Sequence, residues 1–336
     1  MSASAVRFDH LAHMSDAVGL FEHACGTTPR VEHGYCVDDV ARGLVVTLRE
    51  PALDARGRDL SATYLAFVCA AQASDGRFHN RRNTDGAWTD LPSLEDCWGR
   101  ALWGLGTAVG RGGDPDGHAL EAFERGGVRR SPWSRSMAFA ALGAAEVITV
   151  LPDHPVARQL LWVAANLIGR PGRGGSWPWP EPRLRYANAA LAETLLAAGS
   201  LLGDRLALEN GLTMLRWLVD VETRDGHLSV TPVGGWYLGE PRPGFDQQPI
   251  EVAALADACA RAAAITGDRS WHDTIELCGA WFEGRNDVGV AMLDPADGSG
   301  FDGLEPHSRN ENRGAESTLA MLSTMQQVAR VLVPSA

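Results

Sequence analysis

The chain has 336 residues, of which 45% are hydrophobic and 21% charged, an ordinary balance for a globular protein with a sizeable core. Its 30 Lys+Arg face 42 Asp+Glu for a formal net charge of -12, and no basic stripe offsets the excess, which argues against nucleic-acid or anionic-membrane partners. No apolar run reaches the length of a membrane span or signal peptide, and six scattered cysteines (Cys25, Cys36, Cys69, Cys97, Cys259, Cys278) show no CxxC spacing. Free thiols in a reducing cytoplasm are therefore expected, with no disulfide framework, zinc site or cofactor.

Apolar residues recur at helical spacing almost throughout. The pattern predicts helices over 6–24, 37–50, 54–73, 95–111, 114–128, 132–150, 153–169, 186–202, 204–221, 248–266, 268–284 and 312–333. Connections after the even-numbered helices are tight: Glu50-Pro51-Ala52, Leu151-Pro152, Gly203 and Thr266-Gly267. Connections after the odd-numbered helices are long, over 25–36, 74–94, 170–185, 222–247 and 285–311; only 129–131 is short. Gly turns recur in them at Ser74–Phe78, Gly174–Trp177, Arg224–Leu228 and Asp297–Phe301, and read as small hairpins on one face. The alternation predicts an all-α, single-domain (α/α)6 toroid over 1–336, six hairpins closed in a ring with the long loops on one side. A helical solenoid is the alternative.

In a toroid, the first turns of the even-numbered helices meet at one cavity mouth. They carry Asp38, Asp39 and Arg42; Glu95, Asp96 and Arg100; Trp133 and Arg135; Tyr186 and Asn188; Asp246, Gln247, Gln248 and Glu251; Asn312, Arg313 and Glu316. The loops add His79, Asn80, Trp177 and Trp236. Carboxylates, amides, arginines and flat rings are the chemistry that holds sugar hydroxyls and C–H faces. Each acid has a structural alternative, since Asp and Glu in a first turn also satisfy the helix dipole. Glu251 and Glu316 resist it, because they lie deeper than a cap among apolar residues, where an unpaired charge costs several kcal/mol. Asp39, Asp96, Glu251 and Glu316 are the expected catalytic carboxylates. Asp38, Arg42, His79, Asn80, Glu95, Arg100, Trp177, Asn188, Trp236, Asp246, Gln247, Gln248, Asn312 and Arg313 are the expected substrate contacts. No His spacing reads as a metal site.

Five segments carry a resemblance: EHGYCVDDVARGL (32–44), GRFHN (76–80), LEDCWGRALWGLG (94–106), DQQPIEVAALADACARAAAITGD (246–268) and NRGAESTLAML (312–322). Together they resemble a bacterial domain fused to, or encoded beside, GT-B glycosyltransferases, itself similar to the six-hairpin glycosidase superfamily. The resemblance implies the toroid, a saccharide ligand and a glycosyltransferase partner; it supplies no catalytic residues. The expected function is a glycoside hydrolase acting on a mannose- or glucose-based oligo- or polysaccharide through two carboxylates. The alternative is a non-catalytic saccharide-binding or scaffold module, marked by carboxylates neutralised by arginine. A sugar epimerase using paired histidines among His33, His79, His227 and His307, or a polysaccharide lyase, comes lower.

Overall fold

A computed structural model describes residues 6–169 and 175–332. Twelve helices form among them: α1 (Asp9–His13), α2 (Val37–Arg49), α3 (Ala55–Ala70), α4 (Asp96–Gly110), α5 (His118–Gly127), α6 (Ser134–Val150), α7 (Pro155–Ile168), α8 (Ala189–Leu202), α9 (Arg205–Glu222), α10 (Pro249–Thr266), α11 (Ser270–Phe282) and α12 (Ala315–Leu332). The even-numbered helices pack side by side in the order α2, α4, α6, α8, α10, α12, and α12 returns to α2, so the ring closes. Each of α2, α4, α6, α8 and α10 turns back onto the outer helix that follows it, and α1 packs against α12. This is an (α/α)6 toroid.

The inner helices are apolar on nearly all sides because they face both the outer ring and one another. In α6, every residue from Arg135 to Ile148 is buried. Small residues let inner helices touch backbone to backbone: a Cβ on Gly143 of α6 would lie 2.1 Å from the Leu102 carbonyl oxygen of α4. Three outer helices, α3, α7 and α9, are capped by the side chain just before them. Asp54 accepts from Gly57 N–H at 2.7 Å, and Asp204 accepts from Ala207 N–H at 3.0 Å. Inner helices α2, α4, α6, α8 and α10 carry no side-chain cap. Their positive dipole ends point into the hollow that the long loops surround. At the opposite end, Arg49 of α2 bonds Asp257 of α10 at 2.8 Å and Ser323 of α12 at 3.2 Å, tying three inner helices together.

The first predicted helix is corrected. Only Asp9–His13 is helical, because Asp16 captures the N–H groups of Val18 and Gly19 in a turn. Gly19 then packs flush against Phe67 and Tyr35, leaving no room for a helical side chain. The chain past it forms β1 (Ala24–Cys25) with β2 (Thr28–Pro29), then β3 (Tyr35–Cys36) with β4 (Arg81–Arg82). The expected hairpins at 224–228 and 297–301 form as β5 (Thr223–Arg224) with β6 (His227–Leu228), and β7 (Leu293–Asp294) with β8 (Ser299–Gly300). Gln72 and Phe78 bridge around Gly76, at φ +86°. The expected turn at Gly174 and the end of the last predicted helix at 333 lie outside the described residues. Within the last long loop β9 (Gly303–Leu304) pairs with β10 (Arg309–Asn310), and long loops join one another where Gln247 bridges Leu304 and Leu184 bridges Trp236.

Candidate active site

The loops and the inner-helix starts enclose a cavity of about 840 Å³. All four expected catalytic carboxylates line it: Asp39 of α2, Asp96 of α4, Glu251 of α10 and Glu316 of α12, together with Asp38, Arg42, Arg100 and Gln248. A neighbouring hollow of about 500 Å³ shares Asp96, Arg185 and Tyr186 with it and is lined also by Asn80, Glu95 and Trp133. The two form one branched cleft, divided by the Asp96–Tyr186 contact.

The four acids are held very differently. Asp39 is buried and bonded to Arg42 at 2.5 Å, and Arg42 also reaches Glu316 at 2.7 Å. Burial pushes the Asp39 carboxyl up to about 7 even so, because the single guanidinium charge is shared with Glu316, whose own charge adds to the push. Glu316 is 43% exposed, so this pair joins a sealed acid to an open one. Glu251 accepts from Ala187 N–H, from Asn188 N–H at 3.2 Å and from Asn188 Nδ2 at 3.0 Å. Burial and the neighbouring Glu222 nevertheless raise it to about 8. It fastens the start of α8 to α10, and so places Tyr186. Asp96 accepts Ser136 Oγ–H at 2.9 Å and the Tyr186 hydroxyl at 2.5 Å, and no arginine pairs with it among the described residues.

Asp38 is the fifth acid. Its Oδ2 accepts from Asn80 Nδ2 at 3.1 Å, while its buried Oδ1 has no hydrogen-bond partner among the described residues. Burial raises this carboxyl, Arg100 and Arg42 oppose the rise, and the nearby Asp96 adds to it. Asp38 and Asp96 are thus two carboxyl groups on adjacent inner helices, close enough to feel each other and free of arginine contact. Their surroundings differ: one has a bare buried oxygen, the other accepts two hydroxyls.

Raised carboxyls have a consequence for stability. A carboxyl whose folded value exceeds its unfolded one favours the fold below the unfolded value, and that contribution disappears as pH climbs through the folded value. For Asp39 the window closes near 7 and for Glu251 near 8. The melting temperature is therefore expected to fall as pH rises from about 4 to about 8, with on the order of 1 kcal/mol lost per pH unit for each group titrating. A thermal-melt series at constant ionic strength checks it, and Asp39→Asn is expected to flatten the lower part of the slope.

Several expected contacts stand elsewhere. Trp177 and Trp236 pack on each other with centroids 5.5 Å apart, and their indole N–H groups donate to the carbonyls of Glu181 and Glu240. They brace loops and do not line the cavity. Gln247 is buried, accepting from Trp281 Nε1 at 3.1 Å and donating to Gly244 O at 2.9 Å. Asn188 secures Glu251 and accepts from Arg135 Nη2. Arg313 bonds Asp294 and Asp297 over the Phe301 ring, and Asn312 accepts from Gly26 N–H. His79 stacks on Trp88, 5.2 Å between centroids, and Asp246 is exposed outside the lining. Among these, the amides and Arg313 are claimed by backbone and loop carboxylates that sequence spacing does not display.

The lining also holds residues that sequence reasoning passed over: Glu22, His23, Arg81, Arg183, Arg185 and Asp302. They come from loops that the β3–β4 pair and the Gln247–Leu304 bridge pull over the helix starts. Trp133, 58% exposed, and Tyr186, 41% exposed, are the open aromatic faces of the cleft. Both sit at inner-helix starts, where the sequence places them at the cavity mouth without singling them out as substrate contacts. His23 is the one histidine in the lining of the main cavity among the described residues; its ring meets that of His33 at the rim. His227 bonds Asp287, and His307 is exposed. Glu22, Cys36 and Asp39 bring three donor atoms within 4.8 Å of one another, but Glu22 is bonded to Arg81 and Asp39 to Arg42, so these acids are already neutralised by cations. No described helix is long and apolar enough to cross a membrane.

No protein-family model matches the chain, and no curated protein matches it in sequence. Solved structures do match in shape. A sugar epimerase from a ruminal bacterium superposes with TM-score 0.74 at 11% identity, covering 98% of this chain and 96% of its own. A D-mannose isomerase gives TM-score 0.71 at 10% identity, with 96% and 94% covered. The cellulase Cel9M of C. cellulolyticum, solved with cellobiose, gives 0.61 at 8% identity, with 94% and 88% covered. At such identities the likeness establishes the fold: these neighbours are (α/α)6 toroid enzymes.

Proposed function

We propose that this chain is a carbohydrate-active enzyme that cleaves a glycosidic bond in the branched cleft, with Asp38 as proton donor and Asp96 as the ionised carboxylate. The observation that carries this reading is that Asp38 and Asp96 line one cavity, interact, and are free of the arginine that occupies Asp39 and Glu316. Carboxyls whose environments differ in this way divide naturally into acid and base. Asp38 gives its proton to the leaving glycosidic oxygen. Asp96 either takes a proton from the attacking water or bonds the sugar carbon first, so that water adds across the broken C–O bond in both cases. Trp133 and Tyr186 offer rings for sugar C–H faces, and Gln248 and Arg42 offer donors for hydroxyls. Sugar-acting neighbours of the same shape support a saccharide ligand. The assignment moves the proton donor from Asp39, which Arg42 holds, to its neighbour in the chain.

A second reading has its own observation. Arg42 ties two of the cavity's acids and backbone N–H groups occupy a third, the pattern expected of a site that binds a glycan without cutting it. Incubation with a panel of oligosaccharides, read by release of new reducing ends, separates the two. Turnover lost in Asp38→Asn and Asp96→Asn supports the hydrolase. Binding with no product from any saccharide, or conversion of a free sugar with no new reducing end, rejects it. Partnership with a glycosyltransferase and a mannose- or glucose-based substrate remain proposals, the first tested by co-purification with a neighbouring transferase.

A further inference from the structure

We infer that the saccharide taken by this cavity carries an anionic group, a carboxylate or a phosphate, that docks on Arg100. This deepens the saccharide reading and rests on it. Arg100 leaves the first turn of α4, is 2% exposed and lines the main cavity. Among the described residues its side chain makes no hydrogen bond or ion pair, and its buried Nε has no partner. The other charged arginines nearby are satisfied: Arg42 by Asp39 and Glu316, Arg81 by Glu22, Arg135 by Glu181, Arg183 by Glu240.

A desolvated cation without a partner is costly, so a fold keeps one where a ligand supplies the counter-charge. The guanidinium lies over Phe139 with 3.9 Å from its carbon to the ring centroid. That contact holds the guanidinium against an aromatic face that takes up none of its N–H groups, and a guanidinium fork matches a carboxylate or phosphate with two bonds. A sugar hydroxyl would accept one bond and bring no charge, while Asp38, Asp96 and Glu316 act on Arg100 only without contact. Asp38 and Asp96 flank Arg100 without reaching it, so an anion on Arg100 would sit beside the two carboxyls proposed to react. Arg185, exposed on the shared wall of both hollows and making no ion pair among the described residues, adds a second cation at the entrance. The open dipole ends of the inner helices favour the same charge.

The test is a calorimetric binding panel of hexuronate oligosaccharides, hexose 6-phosphates and neutral gluco- and manno-oligosaccharides. The proteins compared are wild type, Arg100→Met, Arg100→Lys and Arg185→Gln. An acidic member is expected to bind roughly 10- to 100-fold more tightly than its neutral counterpart, the range of a charge-assisted bond. Arg100→Met should erase the preference, and Arg100→Lys should restore part of it. A preference for uronate or for phosphate identifies the source of the charge. Neutral sugars binding as well as acidic ones, with Arg100→Met weakening both alike, overturns the inference and leaves the saccharide reading standing. If no member binds, both fall. Should Arg100→Met fail to fold, the wild-type comparison and Arg185→Gln decide, the latter expected to weaken only the acidic ligands.

Discussion

Asp96→Asn is expected to lower glycoside turnover roughly 10²- to 10⁴-fold, the usual range for removing a general acid or base, and Asp38→Asn to do the same. Neither should unfold the protein. An amide at 96 keeps an oxygen for one of the two hydroxyls, Ser136 or Tyr186, which now bond different carboxylate oxygens, and its NH2 can donate to the oxygen of the other. An amide at 38 removes a charge that burial already disfavours. Steady-state kinetics on a cleaved substrate, beside thermal melts, provides the check. The pH profile carries more information than the rate, because a raised acid sets the alkaline limb of activity and Asp38→Asn should abolish that limb. If both variants kept wild-type kcat, the acid–base assignment would be lost, and the binding reading supported by the Arg42 bridge would take its place.

The second large effect is structural. Gly143→Ala is expected to destabilise the protein by roughly 3 kcal/mol or more, although alanine is intrinsically better than glycine in a helix by about 1 kcal/mol. The new methyl would lie 2.1 Å from the Leu102 carbonyl oxygen and 2.8 Å from Trp103 Cα, and helix backbone cannot rotate out of the way. The helices α4 and α6 would have to part. Gly279→Ala is the comparison: its methyl would meet the Val328 Cγ2 at 2.8 Å, a single stiff side chain and not a neighbouring backbone, so the loss should be smaller. The seam also supports the site, because Ser136 and Phe139 of α6 position Asp96 and Arg100 of α4. Gly143→Ala should therefore depress turnover beyond what its fraction unfolded explains. Differential scanning calorimetry with activity measured well below the melting point tests both statements, and an equal loss in the two variants would contradict the packing argument.

The toroid was legible in the sequence because its evidence is local and repeated. Apolar period sets each helix, and the alternation of short joints such as Gly203 with long loops such as 222–247 implies hairpins in a ring. The failure at 6–24 is equally instructive: Asp16 and Gly19 stop the helix through a side-chain turn and a contact with Phe67, and neither disturbs the apolar pattern. At the site, repetition again helped, since Asp38, Asp39, Asp96, Glu251 and Glu316 occupy equivalent first turns and do converge. What sequence does not show is which polar group the fold has already used. Gln247, Asn188 and Arg313 read as ligand contacts, yet each is consumed by partners distant along the chain. The same blindness applied to Arg100, whose lack of a partner shows only when its neighbours are in place. Glu22, Arg183 and Asp302 were invisible because loop pairing, not helix periodicity, brings them to the lining.

The most direct test of this account is a crystal structure of the Asp96→Asn protein with an oligosaccharide it binds but does not turn over. The account predicts the sugar chain within the branched cleft, with a glycosidic oxygen in hydrogen-bond reach of the Asp38 carboxyl. It also predicts an anionic group on Arg100 and a pyranose face on Trp133 or Tyr186. A saccharide bound outside the cleft, or one inside it with no glycosidic oxygen near either Asp38 or residue 96, would contradict it.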